Sequence, residues 1–330
     1  SEDVGSQRTA EKMQEAKREP VIIDGKATAK AVRAEIKRST EILKSKYKVA
    51  PGLATVLVGN RTDSATYVRF KKKAAAEVGF HSIDRHLEDT VTEKELLQVV
   101  KELAEDEKVH GILVQLPLPK HIDEHTVLSS IPVNKDVDGF SALNIGNLVM
   151  RGGQEPLAMP CTPWGCIELL KRYNIPISGK QAVVVGRSNI VGMPVAAMLQ
   201  SLNATVTICH SKTKDLKSHL LSADIVVAAV GRAEYVKGDM IKEGATVIDV
   251  GINSKPDSTR KRGYRLVGDV DYAEAVKKAG AITPVPGGVG PMTIAMLLKN
   301  TLNLALHNNK IDPSTLVAAE SEKTEPFPAS

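Results

Sequence analysis

Short runs of aliphatic and β-branched residues alternate with segments of helical periodicity along most of the chain. In the first half, residues 53–59 (LATVLVG) and 109–118 (VHGILVQLPL) predict strands, and residues 64–78 predict a helix. Strands this continuously apolar are buried on both faces, as in a parallel sheet whose crossovers are helices. The pattern therefore predicts an α/β fold.

The same alternation resumes in the second half of the chain. A segment rich in Gly and Pro, residues 150–163, separates the two series. Residues 291–308 predict a closing helix after the last strand. We expect two α/β domains, divided as 21–161 and 162–293, the second with a mostly parallel sheet. Its predicted strands cover residues 181–188, 204–211, 224–231 and 245–251, with another beginning at 281, and its first helix covers 191–202.

Both ends of the chain depart from this alternation. Residues 1–20 are charged and have no apolar period, and the last residues are polar and contain Pro, so we expect a flexible lead over 1–20 and a flexible tail over 309–330. The lead has neither the apolar core of a secretory signal nor the acid-poor composition of a transit peptide.

Composition excludes several classes of protein. The longest uninterrupted apolar run, Ile225 to Val230, is far shorter than the roughly 20 residues that span a bilayer. A net charge of +5 over 330 residues, with only 3% aromatic residues, does not favour nucleic-acid binding. Cys161, Cys166 and Cys209 form no CxxC pair, so we expect reduced, buried thiols in an intracellular protein, with no membrane partner and no structural metal.

The loop after the first strand of the second half predicts a phosphate site. The strand ends at Gly186, and a helix begins near Gly192 with Pro194 in its first turn. Such a turn directs backbone N–H groups and the positive end of a helix dipole at one point. The spacing is not GxGxxG, so the turn taken alone could equally be an ordinary strand-to-helix connection.

The end of the next strand distinguishes between dinucleotides. An NAD-binding unit places an acidic residue there for the ribose 2′-hydroxyl, whereas residues 209–213 read CHSKT. Ser211 and Lys212, with Arg187 in the preceding loop, would favour a 2′-phosphate and thus NADP over NAD. Lys212 could also simply belong to a solvated loop.

Candidate acid–base chemistry lies in the first half. Tyr67 and Lys71 are four residues apart on the predicted helix and share one face. A lysine buried against apolar walls has a lowered pKa and becomes a usable acid or base, although a KKK run is also typical of solvated surface. Gln115 follows a predicted strand, where α/β sites gather. Asp138, in KDVDGF, could bind a guanidine-like ring or merely form an Asp-Gly turn.

Taken together, these segments resemble one family. The chain is similar to the bifunctional methylenetetrahydrofolate dehydrogenase/methenyltetrahydrofolate cyclohydrolase family from about residue 24 to residue 304. The segments that carry the resemblance are DSATYVRFKKKA, HGILVQLPLP, KDVDGF, PCTPWG, VVVGRSNIVGMP, ATVTICHSKT, VIDVGIN, VGDV and TPVPGGVGPMT.

The resemblance implies a function and a fold. It implies oxidation of methylenetetrahydrofolate by NADP⁺ and hydrolysis of the methenyl product to 10-formyltetrahydrofolate in one pocket. It also implies a folate-binding catalytic domain joined by helix 294–308, a Rossmann-type NADP-binding domain, and a homodimer. Trp164 and Arg232 depart from the residues usual in the family. Cytoplasm is favoured as the compartment, with plastid and mitochondrial matrix as alternatives.

The resemblance also assigns the site residues. The catalytic residues it implies are Lys71, Gln115 and Tyr67. The substrate-binding residues are Tyr67, Ser64, Gln115, Asp138, Pro286 and Gly287. The cofactor-binding residues are Gly186, Arg187, Ser188, His210, Ser211 and Ile252. Two alternatives remain: another NADP-linked dehydrogenase with an unrelated substrate, and a folate- or nucleotide-binding protein without turnover.

Overall fold

The protein contains two parallel sheets and a set of packed helices. The computed structural model describes residues 19–260 and 262–316. Residues 1–18 of the predicted lead and 317–330 of the predicted tail lie outside this range. Residues 309–316 pack against the core, because Leu316 is buried and the Tyr47 hydroxyl donates a hydrogen bond to Thr315 Oγ1 at 3.0 Å. The packed chain therefore extends beyond residue 309, where the tail was predicted to start.

The first sheet has three parallel strands in the order β3-β2-β4. Every residue of β2 is buried, as its continuous apolar run predicts. The elements of this half are β1 (Val21–Ile22), α1 (Gly25–Ile42), β2 (Gly52–Val58), α2 (Thr62–Glu77), β3 (His81–Leu87), α3 (Glu93–Glu105), β4 (Gly111–Val114), α4 (Glu124–Ser129) and α5 (Ala142–Val149). A π-helical turn, Leu43–Tyr47, extends α1, and a 3₁₀ turn covers Val133–Lys135.

The second sheet has six parallel strands in the order β1-β11-β8-β7-β5-β6. An antiparallel hairpin of β9 and β10 lies beside it. The elements are α6 (Cys161–Arg172), β5 (Gln181–Val185), α7 (Gly192–Ser201), β6 (Thr205–Cys209), α8 (Leu216–Leu221), β7 (Ile225–Ala228), β8 (Thr246–Asp249), β9 (Asn253–Pro256), β10 (Tyr264–Val267), α9 (Tyr272–Ala275), β11 (Ala281–Ile282) and α10 (Val289–Asn308), with a 3₁₀ turn over Gly238–Met240. The predicted α/β class is confirmed.

The chain crosses between the two halves at both ends. Strand β1 pairs with β11, so residues 21–22 belong to the sheet of the second half, although the sequence interpretation assigned them to the first. Helix α10 packs against both α1 and α6. Between α1 and α6, the Arg172 guanidinium donates to both carboxylate oxygens of Glu35, at 2.8 and 2.7 Å. Bidentate pairs of this kind fix the orientation of the groups they join.

Two of the predicted site residues, Gln115 and Gly186, lie at the carboxyl edges of the two sheets. Gln115 directly follows β4, and its backbone N–H continues the ladder by donating to the Val56 carbonyl at 2.9 Å. Gly186 directly follows β5. In parallel sheets, ligands bind at these edges. Within the described part of the chain, no helix is long and apolar enough to cross a membrane.

Candidate active site

Helix α2 carries three of the predicted site residues. Ser64 is buried in the first turn, and since the helix begins at Thr62, Ser64 lies inside it and is not its N-cap. Tyr67 is 48% exposed, which leaves its ring available to a ligand. Lys71, one turn further on, is half-buried.

Lys71 and Gln115 are brought together from different elements. The Lys71 ammonium donates a hydrogen bond to Gln115 Oε1 at 3.0 Å. Gln115 Nε2 donates to the Leu116 carbonyl at 2.9 Å, which fixes the amide orientation. The neighbouring Lys72 instead forms an ion pair of 2.8 Å with Asp84. Of these two lysines, only Lys71 is therefore held at the carboxyl edge of the first sheet.

The two aspartates of KDVDGF have different surroundings. Asp136 is buried and accepts hydrogen bonds from the Gly139 and Ser141 N–H groups, at 3.0 and 2.8 Å, so it shapes the turn. Asp138 accepts no hydrogen bond from the described residues and interacts electrostatically with Lys71. Burial raises the pKa of Asp138 to about 6, against the opposing effect of the Lys71 charge, and the Asp136 charge adds to the increase.

Two buried asparagines, which the sequence interpretation did not single out, hold the segment around Asp138. Asn144 Nδ2 donates to Asp136 at 3.0 Å. From helix α10, Asn300 Nδ2 donates to the carbonyls of Val137 and Met159, at 2.8 and 2.7 Å. Neither residue has a local sequence signal, because each acts across more than one element. They hold Asp136 and Val137, the two residues that directly precede Asp138.

The Pro286 and Gly287 loop connects β11 to α10. Pro286 is exposed, and Gly287 is buried with φ of 111°, a conformation that favours glycine. The Gly287 carbonyl accepts from the Lys26 N–H at 3.1 Å, which ties this loop to the start of α1. The loop therefore lies where helices from both halves of the chain meet.

The predicted phosphate loop fits a dinucleotide. Gly186 has φ of 121°, and a Cβ there would collide with the Ala229 carbonyl, while a Cβ on Gly192 would collide with Gly186. Ser188 Oγ accepts from the N–H groups of Val191 and Gly192, at 3.2 and 3.3 Å. Because that oxygen is accepting, the Ser188 hydroxyl hydrogen remains for an acceptor such as phosphate.

The strand end that distinguishes NADP from NAD forms a tight turn. The Thr213 N–H donates to the His210 carbonyl at 2.8 Å, and the Lys212 N–H donates to His210 Nδ1 at 3.2 Å. With Nδ1 accepting, the proton of a neutral His210 ring lies on Nε2. Ser211, Lys212 and the neighbouring Arg187 are exposed. A hydroxyl and two basic side chains are thus available at this edge.

Ile252 lies near the start of α10, and each of the two departures from the family pattern belongs to a pair of an aromatic ring and a cation. Ile252 is 49% exposed, and its Cδ1 would lie 3.5 Å from a Cβ on Gly290 at the start of α10. Trp164 is buried, and the Lys299 ammonium lies 5.0 Å from the centroid of the Trp164 ring. Arg232 lies 5.6 Å from the Tyr235 ring centroid. Neither departure touches the Lys71 and Gln115 pair.

All three cysteines are free and buried. This confirms the expected packing role of the thiols. The thiol of Cys161 lies close enough to Asp138 for burial, together with the charge of that carboxylate, to raise the pKa of Cys161.

The fold and the site together define a two-domain α/β protein, with a lysine bonded to a glutamine at the carboxyl edge of one sheet and a tight strand-to-helix loop at the carboxyl edge of the other. The model of the tetrahydrofolate dehydrogenase/cyclohydrolase catalytic domain matches residues 23–138. The model of the tetrahydrofolate dehydrogenase/cyclohydrolase NAD(P)-binding domain matches residues 160–309. The chain belongs to the tetrahydrofolate dehydrogenase/cyclohydrolase family, which confirms the resemblance found in the sequence.

Similar proteins cover most of the chain. The bifunctional protein FolD 4, chloroplastic, of Arabidopsis thaliana is 58% identical over 87% of this chain and 80% of that protein. The bifunctional enzyme FolD of Campylobacter jejuni has a crystal structure 48% identical, with a TM-score of 0.81, covering 87% of this chain and 99% of that one. The Trypanosoma brucei FolD structure, complexed with NADP and inhibitor, is 46% identical with a TM-score of 0.84, covering 88% and 99%.

Proposed function

We propose that the protein oxidises methylenetetrahydrofolate with NADP⁺ and hydrolyses the methenyl product to 10-formyltetrahydrofolate. The observation that carries this proposal is the Lys71 to Gln115 hydrogen bond of 3.0 Å, placed within electrostatic reach of Asp138. One site then contains an acid–base group, the amide that orients it and a carboxylate for the pterin. The bifunctional FolD relatives, above 50% identical over most of the chain, support both activities.

The oxidation step depends mainly on positioning. When bound, NADP⁺ supplies the acceptor for the hydride that leaves the methylene carbon. We assign the pyrophosphate to Gly186, Arg187 and Ser188. Tyr67 offers an exposed ring against which the folate can stack. The Pro286 and Gly287 loop permits close approach of the substrate. This matters because holding the reactants in a near-attack geometry accounts for much of the catalysis in such reactions.

The hydrolysis step needs proton transfer. Water attacks the cationic methenyl carbon and loses a proton. One carbon–nitrogen bond then breaks, and the nitrogen that leaves the carbon must gain a proton. We assign both transfers to Lys71: as the neutral amine it accepts the proton that the water loses, and as the ammonium it returns a proton to the nitrogen, while Gln115 Oε1 accepts a hydrogen bond from Nζ and holds it in place. Asp138 binds the pterin ring as a hydrogen-bond acceptor, and we assign Ser64, in the first turn of the helix that carries Lys71, to substrate binding.

Three features support NADP as the cofactor. The Ser211 and Lys212 turn offers a hydroxyl and an ammonium, Arg187 adds a second cation, and the T. brucei relative binds NADP. We assign His210 and Ser211 to the 2′-phosphate and Ile252 to the nicotinamide half. Lys212→Glu should raise KM for NADP⁺ about 10-fold or more, as loss of a charged hydrogen bond does, and leave KM for NAD⁺ little changed. Lys214→Glu, in the same basic segment, is the matched control.

Domain division, assembly and compartment are also proposals. The strand order of the second sheet and the phosphate loop after β5 support a Rossmann-type domain over 162–293, with the folate domain over 21–161 joined by helix 294–308.

We propose a homodimer, to be tested by sedimentation equilibrium. The cytoplasm is the proposed compartment, with plastid or mitochondrial matrix as alternatives, and the chloroplastic A. thaliana relative supports the plastid. Fractionation of the source tissue tests this.

The experiment that tests the proposed function is an initial-rate assay with methylenetetrahydrofolate and each nicotinamide cofactor. We expect reduced cofactor to form with NADP⁺ at a kcat/KM well above that with NAD⁺. Folate binding with no formation of reduced cofactor would favour a binding protein without turnover. Turnover of NADP⁺ only with an unrelated substrate would favour another dehydrogenase.

A further inference from the structure

We infer that Asp269 is a positioning residue for the dehydrogenase reaction, because its buried carboxylate joins the loop that follows β7 to the first residue of β9, beside the nucleotide loop. The inference rests on the proposed oxidation of methylenetetrahydrofolate with NADP⁺. Asp269 is not among the residues that we assign to contacts with the folate or with the reacting atoms.

The carboxylate of Asp269 is fully buried and accepts four hydrogen bonds. Oδ2 accepts from the backbone N–H groups of Val230 and Gly231, at 2.6 and 2.8 Å. Oδ1 accepts from the Arg232 N–H and from Asn253 Nδ2, both at 2.9 Å. A carboxylate has acceptor sites for all four donors and a charge that strengthens each bond. The loop after β7 is thus tied to the residue that begins β9.

A second buried carboxylate holds Asp269 itself. Asp249 Oδ1 accepts from the N–H groups of Gly251 and Asp269, at 3.0 and 2.9 Å, and Oδ2 accepts from Val270 at 2.9 Å. A Cβ on Gly251 would collide with the Asp269 carboxylate, and a Cβ on Gly268 would collide with Asp249. The two glycines leave room for the two carboxylates.

The loops that Asp269 joins border the proposed cofactor site. Ala229, next to Val230, has its carbonyl packed against Gly186 so closely that only glycine fits there. Ile252, the residue assigned to the nicotinamide half, directly precedes Asn253. Asp269 therefore fixes the backbone on one side of the phosphate loop and the backbone beside Ile252 with the same side chain.

Replacement by asparagine removes the charge and turns one acceptor into a donor. The amide can then accept on only one oxygen, so at least two of the four N–H donors would face an NH₂ group or lose their partner. The loop after β7 and the first residue of β9 would then lose part of the support that holds them beside the proposed cofactor site. Lys71, Gln115 and Asp138 lie on other elements, so the hydrolysis site would be unchanged.

The test compares three variants in both half-reactions. For Asp269→Asn we expect KM for NADP⁺ to rise about 10-fold or more, as loss of charged hydrogen bonds does, while hydrolysis of methenyltetrahydrofolate without NADP⁺ stays within about twofold of wild type. Asn253→Ala removes one of the four bonds and should raise KM for NADP⁺ by a smaller factor. Asp224→Asn is the control: Asp224 also accepts from a backbone N–H, that of Gln181 at 3.0 Å, but at the opposite edge of the sheet.

Each outcome decides the inference. An unchanged KM for NADP⁺ in Asp269→Asn and Asn253→Ala would overturn it, and so would an equal loss of oxidation and hydrolysis, which indicates a general structural role. If Asp269→Asn does not fold, the KM for NADP⁺ of Asn253→Ala decides. Absence of oxidation in the wild-type protein would instead contradict the proposed function.

Discussion

The Lys71 ammonium donates a hydrogen bond to Gln115 Oε1 at 3.0 Å, and this bond joins helix α2 to the end of strand β4. The other end of the Gln115 amide donates to the Leu116 carbonyl. Because both ends of the amide are engaged, Gln115 cannot rotate without breaking one of the two bonds. The position of the lysine therefore depends on the glutamine.

Gln115→Met should lower kcat for methenyl hydrolysis by about 10- to 100-fold, since a hydrogen bond to a charged group contributes roughly 1.5–3 kcal/mol. Methionine has a similar length but accepts no comparable hydrogen bond, so Lys71 loses its orientation. Steady-state hydrolysis with purified methenyltetrahydrofolate measures the effect. Gln98→Met, on the exposed face of α3, is the matched control, and an unchanged kcat in Gln115→Met would contradict the orienting role.

Much of the fold follows from local pattern, but pairing between distant segments does not. The buried strands β2, β5 and β7 have continuous apolar runs and were predicted within a few residues. The prediction did not include β3, because its residues are mostly exposed and it has no apolar run. The pairing of β1 with β11 joins residues about 260 positions apart, and two residues such as Val21 and Ile22 have no period from which a sheet could be assigned.

Asp138 should make folate binding depend on pH near 6. Its pKa is raised to about 6, mainly by burial, so the carboxylate that we assign to the pterin becomes protonated as the pH falls through that value. KM for methylenetetrahydrofolate should therefore rise below pH 6, and Asp138→Asn should have a high KM at every pH. A pH profile of KM with and without the substitution measures this, and parallel profiles would contradict the assignment.

The raised pKa of Asp138 also affects stability: raising the pH favours folate binding but lowers the stability of the fold. The native state binds the Asp138 proton more tightly than the unfolded state, so this group lowers stability as the pH rises from about 4 to about 6. Asp138→Asn should consequently have a higher Tm than wild type above pH 6, with the difference shrinking at lower pH. A lower Tm at neutral pH would show that the carboxylate stabilises the fold.

His110 should make the protein sensitive to acid. The buried ring accepts the Gly52 N–H on Nδ1 at 2.9 Å, and burial together with the Lys135 charge lowers the pKa of His110 below its ordinary 6.5. Because the unfolded chain binds a proton that the native ring does not, the stability that this group contributes is complete above about pH 6.5 and is lost as the pH falls.

Urea denaturation at several pH values tests this property. His110→Asn keeps an acceptor for the Gly52 N–H but does not titrate, so its free energy of unfolding should fall less steeply below pH 6.5, by up to about 1.4 kcal/mol per pH unit. His125→Asn, at an exposed position of helix α4, should keep the wild-type slope. Equal slopes for wild type and His110→Asn would contradict the prediction.

The site could be predicted from sequence only where its residues share an element or a recognisable segment. Tyr67 and Lys71 share a helix face, and Gln115 ends an apolar strand. VIDVGIN and VGDV carry part of the family resemblance, but no local pattern indicates a role for Asp249 or Asp269, because their main partners are backbone N–H groups of loops that only the folded sheet brings together. The available signal was an acid at or just after a strand with a glycine close by in sequence: Gly251 follows Asp249 by two residues, and Gly268 directly precedes Asp269.

The most direct test of the central claim is hydrolysis of methenyltetrahydrofolate by Lys71→Met, measured beside wild type and Lys73→Met. Lys73 is an exposed lysine of the same run and, unlike Lys72, has no ion pair with Asp84, so it serves as the control. We predict that Lys71→Met lowers the hydrolysis rate about 100- to 10,000-fold, the range that general acid–base catalysis contributes, while Lys73→Met keeps the wild-type rate. Hydrolysis by Lys71→Met at the wild-type rate would contradict the account.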